Sequence, residues 1–266
     1  MRKNLIDNFP LLCDNYYAYF IIKNGYARRL CRYTRRKIMK RSQINYVIQK
    51  AKERLDEYKI TLPMFGYWTV EDWKEHKGEI GRIKERMLGW DVTDYGTDDF
   101  YRRGAVLFTI RNGDKNDKLN KAPYAEKYII MDDSREQEIP LHYHISKTED
   151  IINRAGGVLV VELYHEAKEG GLDKESSVDV YMDGVKRTFA AGEKIFVTPG
   201  NSITIEPYVY HRFYAECGKG MLIVGEVSKV NDDNNDNVFL DDDLRFCPIE
   251  EDEPKVHPLV NEYDEL

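Results

Sequence analysis

The stretch Pro140–Gly157 reads PLHYHISKTEDIINRAGG and carries three side chains with metal-ligand chemistry, His142, His144 and Glu149. In an extended strand, residues two apart point to the same face, so the pattern aims both imidazoles in one direction. After a short turn, Glu149 rejoins them and brings a carboxylate oxygen to two neutral imidazole nitrogens. Such a mixed donor set suits Mn, Fe, Zn, Ni or Co and leaves positions open for substrate oxygens.

The competing hypothesis for this stretch is an exposed strand with a polar face. A charged residue five positions after a histidine pair is unremarkable in a chain that is 33% charged. Alternation from Ile139 to Ile145, between apolar strand-like segments, favours the metal site. Gly156 follows at the spacing of a hairpin whose next strand is Val158–Leu163. The whole pattern, H-x-H-x4-E-x6-G, resembles the first motif of the cupin superfamily and so strengthens the prediction of a metal site.

Length and composition fit one large β domain with helical decoration, or two small domains. The chain has 266 residues, of which 42% are hydrophobic, and its net charge of −7 argues against wholesale nucleic-acid binding. The four cysteines form no C-x-x-C pair, so we expect free thiols in a reducing cytoplasm. The longest apolar stretch near the start, Tyr16–Ile22, is too short to span a bilayer, and we expect neither a signal peptide nor a membrane anchor.

The first 38 residues form a basic extension. They contain nine Lys or Arg against Asp7 and Asp14, a balance of +7 that leaves −14 for the remainder. A basic arm with interspersed tyrosines can bind anionic polymers. However, a chain that began at Met39 would make a complete domain, so a dispensable extension is the favoured hypothesis and nucleic acid is not an expected partner.

Residues 39–100 are predicted to form a helical region that packs on a barrel. Ser42 is a good N-cap for a helix over residues 42–58, whose apolar stripe should lie against a sheet. Thr69 is predicted to cap a second, short helix. Three tryptophans in this region, Trp68, Trp73 and Trp90, could stack on a sugar ring, but large aromatics near helix ends are more often core wedges. We assign none of them to the site.

Residues 101–266 are predicted to form a β barrel with an acidic C-terminal tail. The predicted strands are Ala105–Arg111, Tyr124–Met131, Glu138–Ile145, Val158–Tyr164, Val178–Met182, Lys186–Ala190, Ile195–Val197, Ser202–Ile205, Tyr210–Glu216 and Met221–Val227. Short strands with turn chemistry between them indicate a mainly β double-sheet jelly roll, whose concave interior can gather side chains from several strands. Asp183-Gly184 is the signal of a two-residue hairpin with a type I′ turn.

A fourth metal ligand has to come from the remaining histidines. His76 lies in a charged helical segment and His257 in an acidic tail, so we expect both to be solvated, while His165 follows a strand end. His211 opens a strand after Pro207, which is similar to the way the second cupin motif presents its histidine. The usual P-x-G-x2-H-x3-N form is degenerate here, because its glycine and its asparagine are missing.

Two further side chains extend the predicted site towards catalysis. Lys147 lies inside the histidine motif, and Glu226 lies in the apolar frame Ile223–Val227 on a later strand. If Glu226 faces inward, desolvation should raise its pKa towards the value that a general base needs. An outward, solvated Glu226 is equally compatible with the alternating pattern.

The chain resembles the D-lyxose ketol-isomerase family of cupins from about Met39 to Tyr263. The segments that carry the resemblance are Trp90–Gly96, Leu107–Gly113, Tyr124–Lys127, His142–Gly157 and Gly225–Asn234. It implies a cupin double-stranded β-helix with N-terminal helices and an Mn²⁺-dependent aldose–ketose isomerase, with Co²⁺, Fe²⁺, Zn²⁺ or Ni²⁺ as other candidate ions. The implied substrates are D-lyxose and D-xylulose, with D-mannose and D-fructose as relatives, and the implied assembly is a homodimer.

Residue roles follow from the same resemblance. The implied metal ligands are His142, His144, Glu149 and His211. Lys127 is implied to face the sugar hydroxyls, with Asp236 as a second polar group. Glu226, with Lys147 beside it, is implied to move a proton between C1 and C2 through a metal-bound cis-enediolate. A metal-assisted hydride shift is the rival route.

Two other functions are compatible with the four ligands alone. An Fe(II) cupin dioxygenase would use the same donors to activate oxygen. A non-catalytic cupin would bind a sugar without converting it, with the basic arm docking a partner. The matching segments outside the metal motif favour the isomerase.

Overall fold

The structure is a computed structural model that describes residues 38–117, 119, 121–233, 235–241 and 243–265. The predicted basic extension lies outside these residues, apart from its last position. These residues form a single compact unit.

Strands dominate the described chain. In order, the elements are β1 Met39–Lys40, α1 Arg41–Glu57, a 3-10 turn Met64–Gly66, α2 Val70–Glu75, α3 Gly81–Glu85, β2 Gly89–Thr93, β3 Ala105–Asn112, β4 Tyr124–Met131, β5 Glu138–His144, β6 Glu149–Gly156, β7 Leu159–Glu166, β8 Leu172–Asp173, β9 Val178–Met182, β10 Val185–Phe189, β11 Ile195–Val197, β12 Ser202–Ile205, β13 Val209–Ala215, β14 Leu222–Lys229, β15 Asn237–Phe239, β16 Ile249–Glu250 and a 3-10 turn Tyr263–Glu265.

Two antiparallel sheets build the barrel. The larger has eight strands in the order β10-β9-β12-β6-β14-β4-β3-β2, and the smaller has the order β11-β7-β13-β5-β15, with β8 paired to β7. The inner faces of both sheets supply one apolar core, to which Ile129, Val161, Ile203 and Phe213 belong. The predicted mainly β, double-sheet barrel is confirmed.

Helix α1 covers the outer face of the larger sheet. Its apolar stripe packs with Val106 and Phe108 of β3 and Ile223 of β14 in a second core. Consequently β3 and β14 are buried on both faces along most of their length, which is why their sequences read as nearly continuous apolar runs.

The N-terminus of α1 is capped by a distant residue, contrary to the prediction for Ser42. The helix already begins at Arg41, and the Ser42 side chain makes no cap bond. Instead, the Asp252 carboxylate accepts from the Ser42 backbone N–H at 2.9 Å and from its hydroxyl at 2.7 Å. Strand β1 pairs with β16 immediately before the helix, so the tail brings Asp252 to this end.

The connection after Gly156 crosses between the sheets, and the predicted hairpin is wrong. Strand β6 already pairs with β12 and β14, whereas β7 pairs with β11 and β13 in the other sheet. Gly156 has φ +93, and a Cβ there would come within 2.0 Å of the Met221 carbonyl oxygen. A glycine therefore fits this position, because two backbone segments lie close together where the chain passes from one sheet to the other.

Two local predictions are confirmed. Asp183 and Gly184 both have positive φ, 49° and 80°, and join β9 to β10 as a type I′ turn does. Thr69 caps α2 in a reciprocal capping box with Asp72.

The C-terminal segment packs against the helical region. His257 is 3% exposed, so the prediction that it is solvated is wrong: its Nδ1 donates to the Trp68 carbonyl at 2.8 Å, and its Nε2 lies 2.9 Å from the Lys52 ammonium. Leu259 forms an isolated parallel β-bridge with Trp90. Trp73 and Trp90 are both 2% exposed, as expected for aromatic side chains of the core. Among the described residues, no helix has the length and hydropathy needed to cross a bilayer.

Candidate active site

A polar layer closes one end of the barrel core. On several strands the inward positions change from apolar to polar towards the same end. These transitions run from Val224 to Glu226 on β14, from Ile129 to Lys127 on β4, from Ile151 to Glu149 on β6 and from Phe213 to His211 on β13. Glu226 pairs with Lys127 in the cross-strand register, and His211 pairs with His142. The strands therefore bring the polar side chains to one place.

A β-bulge on β5 turns the histidine pair inward. Between two matched pairs, His211–His142 and Phe213–Ile139, β5 has one residue more than β13. Pro140, which has no N–H to donate, lies in this bulge. As a result Ile139 and His142 both face the interior, and His144 follows two residues later on the same face.

The four predicted ligands converge. One donor atom from each of His142, His144, Glu149 and His211 lies within 4.8 Å of the others, and all four side chains are buried. His211 Nε2 lies 3.0 Å from Glu149 Oε1, and His144 Nε2 lies 3.3 Å from Glu149 Oε2. This group could hold a metal ion.

Hydrogen bonds behind the ligands fix the imidazole tautomers. His142 Nδ1 faces the Pro140 carbonyl at 2.8 Å and His211 Nδ1 faces the Val209 carbonyl at 2.9 Å. A carbonyl oxygen only accepts, so each Nδ1 carries the proton and each Nε2 presents a lone pair.

The free imidazole nitrogens show that the donor set fits a cation. His211 Nε2 and both ring nitrogens of His144 are buried without a hydrogen bond of acceptable geometry among the described residues. Two lone pairs, one on His211 Nε2 and one on Glu149 Oε1, thus face each other at 3.0 Å. A metal ion bound to both atoms would remove the repulsion between these lone pairs, and metal–ligand bonds of about 2.0–2.2 Å suit that spacing.

Charge balance also fits a divalent ion. The connected set of buried or nearly buried groups contains five carboxylates and three cationic side chains: Asp91, Glu149, Glu226, Asp233 and Asp236 against Lys127, Lys147 and Arg245. Buried charges are stable only when they are compensated. With neutral histidines this set carries −2, which one divalent cation neutralises.

Lys147 links the ligand cluster to Glu226. Its Nζ lies 2.8 Å from Glu149 Oε2 and 2.8 Å from Glu226 Oε1. The Ser228 hydroxyl donates to the same Glu226 oxygen at 3.0 Å. Glu226 is 4% exposed, so of the two orientations that the sequence left open it takes the inward one.

The pKa of Glu226 shifts in the direction opposite to our expectation. Burial alone would raise it, but the ammonium groups of Lys127 and Lys147 outweigh burial and lower the pKa below its usual value. In the same way burial would raise the pKa of Glu149, and the ammonium group of Lys147 holds it well below its usual value. The apolar sequence frame of Glu226 predicted only the desolvation, not the two lysines. Both carboxylates are therefore ionised near neutral pH.

Lys127 lines the cavity in front of the ligands, whereas Asp236 does not. Lys127 Nζ donates to Asn231 Oδ1 at 2.6 Å and lies 3.6 Å from Glu226 Oε1. Asp236 Oδ1 accepts from the Ser146 N–H and hydroxyl at 2.8 and 2.7 Å, and its Oδ2 lies 3.3 Å from His144 Nδ1. Its position behind His144 differs from the sugar contact that the resemblance implied.

The sequence did not predict two residues of the cavity wall or the carboxylate behind one of them. Asp233 and Arg245 line the same cavity as the ligands, and Asp91 on β2 contacts Arg245. Two of the three, Asp91 and Asp233, lie in segments that carried the family resemblance, which was the available signal. Nothing in the sequence around Arg245 marks it, because it reaches the cavity from a loop between two short strands.

The cavity has about 400 Å³ of non-atom space when the open solvent at its mouth is included. Its walls are apolar on one side, with Tyr95, Leu107 and Phe239, and charged on the other. A small, hydroxyl-rich molecule matches such a lining.

Comparison with known proteins identifies the family. A family model described as D-lyxose isomerase matches residues 39–263. The curated D-lyxose/D-mannose isomerase of Serratia proteamaculans is 43% identical over 226 residues, which cover 85% of this chain and 98% of that protein. The chain belongs to the D-lyxose isomerase family. A second D-lyxose/D-mannose isomerase, from Escherichia coli O157:H7, is 39% identical over the same shares of both chains.

Solved structures of other sugar isomerases share the fold of this D-lyxose isomerase family member. The L-ribose isomerase of Acinetobacter sp. DL28 in complex with L-ribose matches with a TM-score of 0.54 at 14% identity, over 82% of this chain and all of that one. The L-ribose isomerase of Geodermatophilus obscurus gives 0.50 at 16% identity, over 80% and 99%. At such low identity the likeness shows the cupin-like fold alone. Family membership makes the chain a sugar isomerase, which decides against the dioxygenase and the non-catalytic hypotheses.

Proposed function

We propose that the chain interconverts D-lyxose and D-xylulose, and D-mannose and D-fructose, as a metal-dependent aldose–ketose isomerase. The observation that carries this proposal is the four-ligand cluster, whose buried donor atoms suit a cation, with the Glu226 carboxylate one lysine away. The names of the two curated relatives supply the two aldoses, D-lyxose and D-mannose, and the ketoses are the products that follow when the carbonyl moves from C1 to C2.

Mn²⁺ is the proposed ion, with Co²⁺, Fe²⁺, Zn²⁺ or Ni²⁺ as substitutes. His142, His144, Glu149 and His211 would hold it, since three imidazoles and one carboxylate suit this group of metals. When bound, the ion supplies Lewis acidity at the carbonyl end of the open-chain sugar.

Glu226 is the proposed base. Its carboxylate, ionised because of Lys127 and Lys147, takes the proton from C2 of the aldose and returns it to C1, while the hydroxyl proton of O2 is transferred to O1. Its lowered pKa makes it a weak base, so the acidity of the C2 proton has to come from polarisation of the carbonyl. The two ammonium groups beside Glu226 face the negative charge that develops on the enediolate oxygens.

An NMR assay of metal-loaded and chelator-stripped protein tests the proposal. We expect the loaded protein to convert D-lyxose to D-xylulose and D-mannose to D-fructose, the stripped protein to be inactive, and added Mn²⁺ to restore the rate. Unchanged spectra of both aldoses with loaded protein would refute the substrates. Full activity of stripped protein would refute the metal requirement.

Solvent deuterium separates proton transfer from a hydride shift. In D₂O, proton transfer through Glu226 predicts deuterium at C1 of the ketose, because a carboxylic acid proton exchanges with solvent. A ketose that carries no deuterium, even after several turnovers in both directions, would favour the hydride route.

A homodimer and a cytoplasmic location complete the proposal. The homodimer rests on the family resemblance. The cytoplasmic location rests on the cysteine pattern. Light scattering coupled to gel filtration gives the mass of the assembly directly, and we expect twice the chain mass of 31.3 kDa.

A further inference from the structure

A second charged group lies in the cavity in addition to the metal ligands and the proposed base. Arg245 lies in the loop between β15 and β16, and its guanidinium lines the cavity. Asp91 and Asp233 both contact its Nη2, the second at 3.2 Å. Two carboxylates from separate elements therefore fix the orientation of this guanidinium.

Among the described residues, one end of the guanidinium has no hydrogen-bond partner. This end is Nη1 of Arg245, which is buried. A buried donor without an acceptor is destabilising, and more so when the group is charged. A guanidinium group that is held at Nη2 and unsatisfied at Nη1 is suited to donate a hydrogen bond from Nη1 to a ligand oxygen in the cavity.

Arg245 is separated from the metal-ligand cluster by four side chains. The buried contacts run in order from Glu149 through Lys147, Glu226, Lys127 and Asp233 to Arg245. The first members of this series belong to the proposed reacting end of the site. Tyr95 and Phe239, which stack edge to face with centroids 5.7 Å apart, supply an apolar wall of the same cavity.

We propose that Arg245 is a substrate-specificity residue that donates a hydrogen bond to the hydroxyl groups at C4 or C5, at the end of the open-chain sugar remote from the carbonyl. This inference rests on the proposed isomerase function and extends it. The Tyr95 and Phe239 rings face the C–H groups between the two ends. Asp91 and Asp233 act as positioning residues, because they hold the guanidinium.

The test compares D-lyxose with 4-deoxy-D-lyxose and 5-deoxy-D-lyxose, on the wild type and on Arg245→Lys. For at least one analogue, we expect the wild type to lose roughly 10- to 100-fold in kcat/KM relative to D-lyxose, since hydrogen bonds to charged groups have that effect. In Arg245→Lys the same preference should fall to a few-fold, with KM changing more than kcat. Arg103→Lys is the matched control, because Arg103 also binds carboxylates but does not line the cavity. It should keep the wild-type preference.

The outcomes separate this inference from the proposed function. Equal use of all three sugars by the wild type would overturn the role of Arg245, without need of any variant. An equal loss for all three sugars in Arg245→Lys, with bound metal unchanged, would assign Arg245 a structural role only and would overturn it too. Absence of any D-lyxose conversion by metal-loaded wild type would instead refute the proposed function, and this inference with it.

Discussion

At the scale of single residues, the site depends on carboxylates that buried lysines keep ionised. Glu226 and Glu149 share Lys147 at 2.8 Å each, and Lys127 adds a second positive charge near Glu226. Because these ammonium groups lower the pKa of Glu226, the proposed base is deprotonated near neutral pH but is weaker than an ordinary carboxylate. Glu226 and Lys147 can therefore be tested as a unit.

Substituting Glu226 by Gln removes the proposed base while keeping its shape. We expect Glu226→Gln to lose at least about 100-fold in kcat, in the range of a lost general base, while it binds one metal ion per chain as before. Steady-state kinetics on D-lyxose and metal analysis of the same sample measure the two quantities.

Glu126→Gln is the control for this variant. Glu126 lies on neighbouring β4, pairs with Arg111 at 3.2 Å, and does not line the cavity. It should keep the wild-type rate. If Glu226→Gln also turned over D-lyxose at a near-normal rate, Glu226 would not be the base.

Asp236 is expected to act on the metal through His144. In Asp236→Asn the carboxylate opposite His144 Nδ1 is lost, so we expect metal affinity to fall about 10- to 100-fold, as for other residues that orient a ligand imidazole. Isothermal titration with Mn²⁺ measures this. The neighbouring surface variant Asp232→Asn should bind like the wild type, and an unchanged affinity in Asp236→Asn would show that Asp236 does not orient His144.

Several residue-level features could be predicted from the sequence. The H-x-H spacing placed two imidazoles on one face, and even a degenerate second motif led to His211. The pKa of Glu226 could not be predicted, because Lys147 reaches it from another strand connection and Lys127 from a neighbouring strand. The burial of His257 could not be predicted either, because its partners Lys52 and Trp68 are about 200 residues away in the chain.

At the scale of elements, helix α1 supports the larger sheet from the side opposite to the site. Ile48 is fully buried in that interface. Ile48→Ala should lower the free energy of unfolding by about 2–5 kcal/mol, because it removes packed methyl groups and leaves a cavity. Chemical denaturation measures the change.

The exposed neighbour of Ile48 gives the matched control. Gln49→Ala should change the free energy of unfolding by less than about 0.5 kcal/mol. Metal binding should stay unchanged in both variants, since α1 does not line the cavity. A loss below about 1 kcal/mol for Ile48→Ala would mean that the α1 interface contributes little to the stability of the barrel.

Strand β6 shows why parts of the barrel escaped the sequence analysis. Its inward positions include Glu149 and Asn153, so the alternation of apolar and polar residues that marks a half-buried strand is broken. Asn153 is fully buried because its amide donates to the Gly157 and Val197 carbonyls. Polar side chains on the inner face, whether functional or structural, therefore remove the alternating pattern by which a strand is predicted from sequence. The β5 bulge is similar, since strict alternation would put Ile139 and His142 on opposite faces.

At the scale of the whole molecule, the barrel combines an apolar core with one charged end. The chain has a net charge of −7, and the charged end retains −2 when its histidines are neutral. We propose that a divalent ion, held by the four ligands, balances this excess. Binding of the ion should therefore stabilise the folded chain as well as enable catalysis.

Titration of chelator-stripped protein with Mn²⁺ tests the proposed metal centre most directly. We expect wild type to bind one ion per chain and His211→Ala to lose binding at this site, with the melting temperature rising on metal addition only in the wild type. Equal Mn²⁺ binding by wild type and His211→Ala, or none by either, would contradict the assignment of the four residues as a metal centre.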